Sequence, residues 1–369
     1  MLPLNWQKVR LGDIGKPCMC KRVMKHQTTR YGEIPFYKIG TFGNTADAFI
    51  SKKLFLEYRT KYSFPKKGDI LISASGTIGR AVIYDGKPAY FQDSNIVWID
   101  NDETLVKNDF LFYIYSNVKW NTEYTTILRL YNDNFRNTLI PLPPLNEQSA
   151  IANILSALDR YLCALDALIL KKEGVKKALS FELLSQRKRL KGFNQAWQRV
   201  RLGDIANYLT SNLSVEQITQ QGEIKVYDAN NFIGYTDTTF ISDKPYISIV
   251  KDGSVGRVRI LPPKTNILST MGALIANHRT TTEFLFYLLS NFDFKNFTSG
   301  SIIPHIYFKD YKEKTIFLPP LNEQIAIANI LSDLDNEITS LKNKKRQFEN
   351  IKKALNHDLM SAKIRVLEK

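Results

Sequence analysis

The sequence predicts an α+β fold: two mixed α/β domains joined by two long antiparallel coiled-coil helices, arranged with pseudo-twofold symmetry. Three observations predict it. LPPLNEQSAIANILSALD, from Leu142 to Asp159, recurs as LPPLNEQIAIANILSDLD, from Leu318 to Asp335, and only Ser149/Ile325 and Ala157/Asp333 differ. WQKVRLGDI, beginning at Trp6, recurs as WQRVRLGDI, beginning at Trp197. After each PPLNEQ the apolar residues step alternately by four and three, the spacing of a coiled-coil seam.

The elements follow in the same order in both halves. IPFYKIGTFG, GDILISAS and AVIYDG read as strands, as do ISIVKDG and VRILPP, because they are rich in Ile, Val, Tyr and Phe and bounded by Gly, Asp and Pro. Gly76-Thr77-Ile78-Gly79-Arg80 has a counterpart in Gly253-Ser254-Val255-Gly256-Arg257. NDFLFYIYSNVKW reads as a helix with Phe110, Ile114 and Val118 on one face, and TEFLFYLLSNFDF as its counterpart. One unit is therefore used twice, with expected bounds of 1–142 and 192–318 for the domains and 143–191 and 319–369 for the helices that follow them. The aromatics of the two FLFY helices are expected in the core.

Asn146 and Asn322 are expected to cap the long helices, with Glu147 and Glu323 in the first turn, where the helix dipole favours an acid. The first seam runs Ile151, Leu155, Leu158, Leu162, Leu165, Ile169. The second runs Ile327, Leu331, Leu334, Ile338, Leu341. Lys172 and Lys345 interrupt them, Gly174 sits beside the first break, and the seams are expected to resume with Val175 and Leu179, then Ile351 and Leu355. The helices are expected from Asn146 to about Leu190 and from Asn322 to about Val366, each the other's mate.

Composition narrows the function. Lys and Arg number 51 against 36 Asp and Glu, a net charge of +15, which points to a polyanionic partner. No apolar run reaches the roughly 18 residues of a membrane span. The N-terminal stretch lacks the apolar core of a secretory signal. Three cysteines make no disulfide framework, and a reducing cytoplasm fits them. Cys18 and Cys20 have no second ligand pair at zinc spacing.

Two W-x-x-V-R-L-G-D-I starts, two variable domains and two PPLNEQ helices together resemble the specificity subunits of Type I restriction-modification enzymes, along the whole chain and in order. The resemblance implies that each variable region is a target recognition domain reading one half of a split double-stranded DNA sequence. It implies that the helices set the gap and dock two modification subunits, with restriction subunits completing the complex. It implies a non-catalytic chain that binds no cofactor, S-adenosylmethionine, ATP and Mg being expected on the partner subunits. No membrane role is expected.

The residues support that division. No Asn/Asp-Pro-Pro-aromatic tetrapeptide, no G-x-x-x-x-G-K-[ST] loop and no Ser/His/Asp constellation is present. A free-standing methyltransferase or nuclease lacks its motifs, and a coiled-coil protein without a DNA role leaves the charge and the paired domains unexplained. Gly76, Thr77 and Arg80, with Gly253, Ser254 and Arg257, are candidates for close approach to DNA, since glycine lets backbone amides near phosphate and Arg binds phosphate or a guanine edge. A turn needing glycine only for its dihedral angles is the competing reading. Base readers are expected where the halves differ: Lys38, Ser75, Gln92, Asn95 and Arg136 in the first, Asn230, Asn231, Ser299, Ser301 and His305 in the second. The run KRVMKHQTTR, from Lys21 to Arg30, reads equally as a phosphate-contacting loop or a solvated face.

Overall fold

A computed structural model describes residues 3, 5–124 and 128–366, and divides the chain into two compact units. One comprises Met1–Leu165 with Lys344–Lys369, the other Asp166–Asn343. Each unit thus holds one α/β domain, part of the helix that follows it and part of the other long helix.

The first unit is built on a four-stranded antiparallel sheet in the order Gly15–Met19, Ile96–Asn101, Ile70–Ser73, Ala81–Ile83. Beside it lies a three-stranded sheet, Phe49–Ile50, Ile34–Tyr37, Tyr90–Phe91, whose last pair is parallel. The second unit repeats the plan with Ala206–Thr210, Met271–Ala276, Tyr246–Val250, Val258–Leu261, and with Phe232–Thr236, Ile224–Tyr227, Thr265–Ile267. Ile70–Ser73 and Tyr246–Val250 are buried at every position, which is why they are almost wholly apolar, with only Ser73 and Ser248 polar. Lys52–Lys61, a helix capped by the Ser51 hydroxyl accepting from Leu54 N, is an insertion of the first unit with no counterpart in the second.

The FLFY helices span Asn108–Ile114 and Thr282–Ser290. Phe110, Leu111, Tyr113 and Ile114, and likewise Phe284, Leu285, Tyr287 and Leu289, are buried, so these aromatics are core. The first helix stops short of Val118, which still packs against the same core from the following loop.

Each domain is closed by a two-stranded antiparallel ribbon between its first and last segments. Val9 pairs with Ile140, and Val200 with Ile316. The repeated W-x-x-V-R-L-G-D-I start therefore lies beside the strand that leads into PPLNEQ.

The long helices run Leu145–Leu184 and Leu321–Met360, each 40 residues and roughly 60 Å at 1.5 Å per residue. They begin one residue earlier than expected. Pro144 O and Pro320 O accept the first helical amides, from Gln148 N and Gln324 N at 2.9 Å, so the prolines and not Asn146 and Asn322 stand at the cap. The Asn side chains instead accept from Glu147 N and Glu323 N, at 3.0 and 2.9 Å. The helices also end about one and a half turns earlier than expected, where Gln186 and Ala362 adopt left-handed φ of 60° and 56°. After Ala362 the Lys363 amide turns back to Asp358 O, at 2.9 Å, closing the helix end.

Within each unit the two helix segments run antiparallel. In the first, the Tyr161 and Phe348 rings meet at 4.7 Å and Lys352 pairs with Asp159. In the second, Lys172 pairs with Glu337 at 2.8 Å, Lys342 with Glu173 at 2.6 Å and Lys176 with Asp335. The seams resume only in part as expected. Val175 and Ile351 are exposed, whereas Leu179 and Leu355 are half-buried as expected and, with the buried Leu183 and Leu359, pack into the domain cores. Beyond the lysines the helix faces a domain and no longer only a partner helix, so the apolar stripe follows the domain.

The motif residues Glu147, Gln148, Glu323 and Gln324 are almost fully buried. Glu147 accepts from Trp6 Nε1 at 3.1 Å and from both Arg365 Nε and Nη2, at 2.7 and 3.0 Å. Glu323 accepts from Trp197 Nε1 at 3.0 Å and from Arg189 at 3.2 and 2.7 Å. Hydrogen bonding to these carboxylates raises both guanidinium pKa values. Gln148 bonds Lys107 N, Leu105 O and Pro143 O, and Gln324 bonds Thr281 N, Arg279 O and Pro319 O. Asp159 takes the Tyr113 hydroxyl at 2.7 Å, and Asp335 that of Tyr287 at 2.9 Å. Burial first and the neighbouring carboxylate second hold both phenols well above the usual tyrosine range.

Trp6→Phe and Trp197→Phe each remove one hydrogen bond to a buried carboxylate. Each should destabilise its unit by about 1.5–3 kcal/mol in denaturant unfolding, and a loss under about 0.5 kcal/mol would contradict the latch.

Candidate nucleic-acid interface

The two G-x-x-G-R segments are the turns that join the buried central strand of each four-stranded sheet to its edge strand. Their glycines are needed for conformation. Gly76 and Gly79 have φ of 65° and 82°, and Gly253 and Gly256 have 83° and 80°. A Cβ on Gly79 would sit 2.2 Å from Trp120 Nε1, and one on Gly256 would sit 2.6 Å from the Phe294 ring. Around Gly76 and Gly253 the space is open. The glycine amides are engaged within the protein: Gly79 N with Ser73 O and Gly256 N with Val250 O, both at 2.9 Å, Gly76 N with Leu128 O at 3.3 Å and Gly253 N with Pro304 O at 2.9 Å. Thr77 and Ser254 stand exposed at the tips.

The arginines of the two turns play one part in both units. Arg80 Nη1 donates to Phe42 O at 3.0 Å, tying the turn to the loop that follows Ile34–Tyr37. Arg257 donates to Asn230 Oδ1, tying its turn to the loop that follows Ile224–Tyr227. Arg259 reinforces this second tie through Asn230 O at 3.0 Å. Within that loop Asp228 accepts from the amides of Asn230 and Asn231, at 2.7 and 2.6 Å, which fixes an Asx turn and leaves the Asn231 side chain exposed.

A hairpin supports each turn from the other side. In the second unit Thr298–Ser299 pairs with His305–Ile306, and His305 also bridges to Asp252, its Nδ1 lying 2.6 Å from Asp252 Oδ1. Ser299 and Ser301 are exposed on this hairpin and its tip. In the first unit Glu123–Tyr124 pairs with Leu128–Arg129, and Arg129 bridges to Ser75. Arg129 thus occupies the place of His305.

The structure gathers most first-domain candidates. Lys38, Gln92 and Asn95 line one polar cavity of about 490 Å³ together with Arg22, Lys25 and Arg129. Ser75 stands at its edge and donates to Asn95 Oδ1 at 2.7 Å. Gln92 Oε1 accepts from Ile39 N at 3.0 Å, and Lys38 pairs with Asp47 at 2.8 Å. Arg22 and Lys25 bring the KRVMKHQTTR run to the same cavity. Arg136 lies elsewhere, on the short helix Asn132–Asn137, with its backbone packed against Gly12.

Sequence reasoning missed Arg129, Arg259 and Asp252. The signal for Arg129 was available. The 176-residue spacing of the PPLNEQ copies, carried back without a gap, sets RLY at Arg129 against HIY at His305. Among the described residues no group of three His, Cys, Asp or Glu is placed to hold a metal ion, and no helix is long and apolar enough to cross a membrane.

Comparison with known proteins gives a consistent picture. Residues 3–172 and 194–350 each match the model of the Type I restriction modification DNA specificity domain. A 148-residue stretch is 63% identical to a putative type I restriction enzyme specificity subunit of Haemophilus influenzae; it spans 40% of this chain and 38% of that relative. Over 99% of this chain and 95% of the relative, the identity to the putative type I restriction enzyme MjaX specificity subunit of Methanocaldococcus jannaschii is 27%. The fold is similar to the crystal structure of the S subunit of a Type I restriction-modification system from M. genitalium, with a TM-score of 0.65 at 20% identity, covering 97% of this chain and 98% of the other.

The two glycines of each turn should respond differently to alanine. Gly76→Ala meets open space and should lose only the left-handed preference, about 1–2 kcal/mol. Gly79→Ala should cost about 1–3 kcal/mol more, because Trp120 must move. Equal losses in thermal unfolding would contradict the packing role.

Proposed function

We propose, on the premise that the chain belongs to the Type I restriction modification DNA specificity family, that each of its two domains reads one half of a split DNA target. As a specificity subunit the chain is non-catalytic and supplies sequence choice to partner subunits. One observation carries the reading: the two units agree in the contacts that hold each long helix to its domain and differ in the polar residues beside the G-x-x-G-R turn. The Trp-Glu-Arg latch, the buried Gln and the Tyr-Asp pair are the same in both. Around the G-x-x-G-R turn, by contrast, Ser75 stands against Asp252 and Arg129 against His305. Two copies of one scaffold with unlike polar rims suit two unlike half-sites, since base edges are told apart by donor and acceptor pattern.

The candidates fall into two roles on this reading. Thr77, Arg80, Ser254 and Arg257 sit at the recurring turn, where a contact made alike in both halves suits the DNA backbone. Lys38, Ser75, Gln92, Asn95, Asn231, Ser299, Ser301 and His305 lie where the halves differ and suit base edges. The long helices hold the two readers at a set spacing and offer two like docking faces to two modification subunits. S-adenosylmethionine, ATP and Mg act on the partner subunits, restriction subunits among them, and the complex works in the cytoplasm.

With its modification subunit, the chain should enrich a two-part motif with a fixed gap from a pool of random duplexes. Affinity should fall steeply with salt, by roughly a thousandfold or more between 50 and 200 mM if six or more phosphates are neutralised. Sequence-blind binding would overturn the reading.

A further inference from the structure

The polar cavity of the first unit is unusual in what it leaves unsatisfied. Several of its side-chain acceptors are engaged: Asp93 Oδ2 with Arg22 Nε at 2.8 Å and with Ser94 Oγ at 3.2 Å, Asn95 Oδ1 with Ser75 Oγ, and Gln92 Oε1 with Ile39 N. Several donors remain. The guanidinium of Arg129, a half-buried residue, and the amide nitrogens of Gln92 and Asn95 meet no acceptor among the described residues. Because Gln92 Oε1 accepts a backbone N–H, the orientation of that amide is fixed and its NH2 is free to donate. Arg129 lines the cavity with its guanidinium uncommitted among the described residues, so it is available to an acceptor supplied from outside.

Two acceptor-only objects on DNA fit a fork of N–H groups: a phosphate and the guanine edge with its O6 and N7. The comparison of the units favours the base. A phosphate contact carries no sequence information and would serve both halves alike. Yet the equivalent position holds His305, which differs in charge and shape and is tied to Asp252 at 2.6 Å. The position therefore varies as a reader varies. The backbone of Arg129 also bridges to Ser75 at the foot of the G-x-x-G-R turn, which places the residue beside the turn.

We infer that Arg129 is a specificity-determining residue that reads a guanine, and that the half-site of the first domain contains a G·C pair chosen by it. Gln92 and Asn95 add donors beside it and favour acceptor-rich edges at the neighbouring position. The inference rests on the DNA-reading function proposed above and deepens it.

The test uses the chain assembled with its modification subunit, S-adenosylmethionine and random-sequence duplexes, with methylated sites read by sequencing. The wild-type complex should yield a split motif with a G·C pair in one half-site. Arg129→Gln should lower preference for that pair by on the order of 10–100-fold and leave the other half-site unchanged. The unchanged half-site reports that the variant is folded. Arg129→Lys, which keeps the charge but not the fork, should retain overall affinity and lose most of the preference. Three results overturn the assignment: a first half-site of A·T pairs alone, a motif unaffected by Arg129→Gln, or a uniform loss of affinity with the preference kept, the mark of a phosphate contact. A wild-type complex with no split motif overturns the DNA-reading function itself, and is told apart because it is seen before any substitution.

Discussion

The structure depends on a carboxylate buried at the start of each long helix. Glu147 and Glu323 are almost fully shielded from water, and an unpaired charge there would be prohibitive. Each is made tolerable by three sources at once: the indole of the Trp that opens its domain, an Arg from the segment that follows the other long helix, and the amide end of its own helix. The Trp and the Arg are each far from the carboxylate in sequence, the nearest being Trp197 and Arg189, 126 and 134 residues from Glu323. The carboxylate therefore requires the domain start, the helix start and the segment after the other long helix to come together, and in the first unit it ties Lys344–Lys369 to Met1–Leu165, two stretches far apart in the chain.

The neighbouring contacts elaborate that constraint. Gln148 and Gln324 fasten the helix start to the loops that lead into the FLFY helices through backbone groups of those loops. About three turns along, Asp159 and Asp335 each bind a Tyr of the FLFY helix and a Lys of the other long helix, and that Lys lies over the same Tyr ring at 5.7 Å. Domain, helix and partner helix are cross-braced at two levels, through charges that apolar packing alone would not orient. The sequence identity of the two PPLNEQ segments is thereby accounted for inside the fold: Pro, Glu and Gln are all engaged in holding the domain to the rod.

Function sits where this bracing stops. The G-x-x-G-R turn is rigid because its glycine amides, its Arg and its supporting hairpin are all committed to the protein. A rigid support lets the residues around it vary without loss of fold. Ser75 and Asp252, or Arg129 and His305, occupy like places with unlike chemistry. The same scaffold can then present a donor-rich face in one unit and a histidine held by an aspartate in the other.

The repeat, the two-unit plan, the buried FLFY aromatics and the long helices were legible in the sequence because each is a local pattern: identity at a spacing, a period of 3.6 or a run of β-formers. Local pattern also misled. Asn146 and Asn322 are good caps by type, yet the preceding prolines take that place, since a residue without an N–H fits the start of a helix at no loss. Val175 and Ile351 continue a plausible seam, yet they are exposed, because past the lysines the helix packs on a domain. Arg129 was passed over because its cavity neighbours, Gln92 and Asn95, are close to it only through the fold. The sequence by itself determined the architecture, because periodicity and repetition are properties of neighbours along the chain. Only the tertiary structure decided why PPLNEQ is repeated and which side chains share a cavity. A buried carboxylate is satisfied, and a cavity is lined, by groups that are hundreds or tens of residues apart.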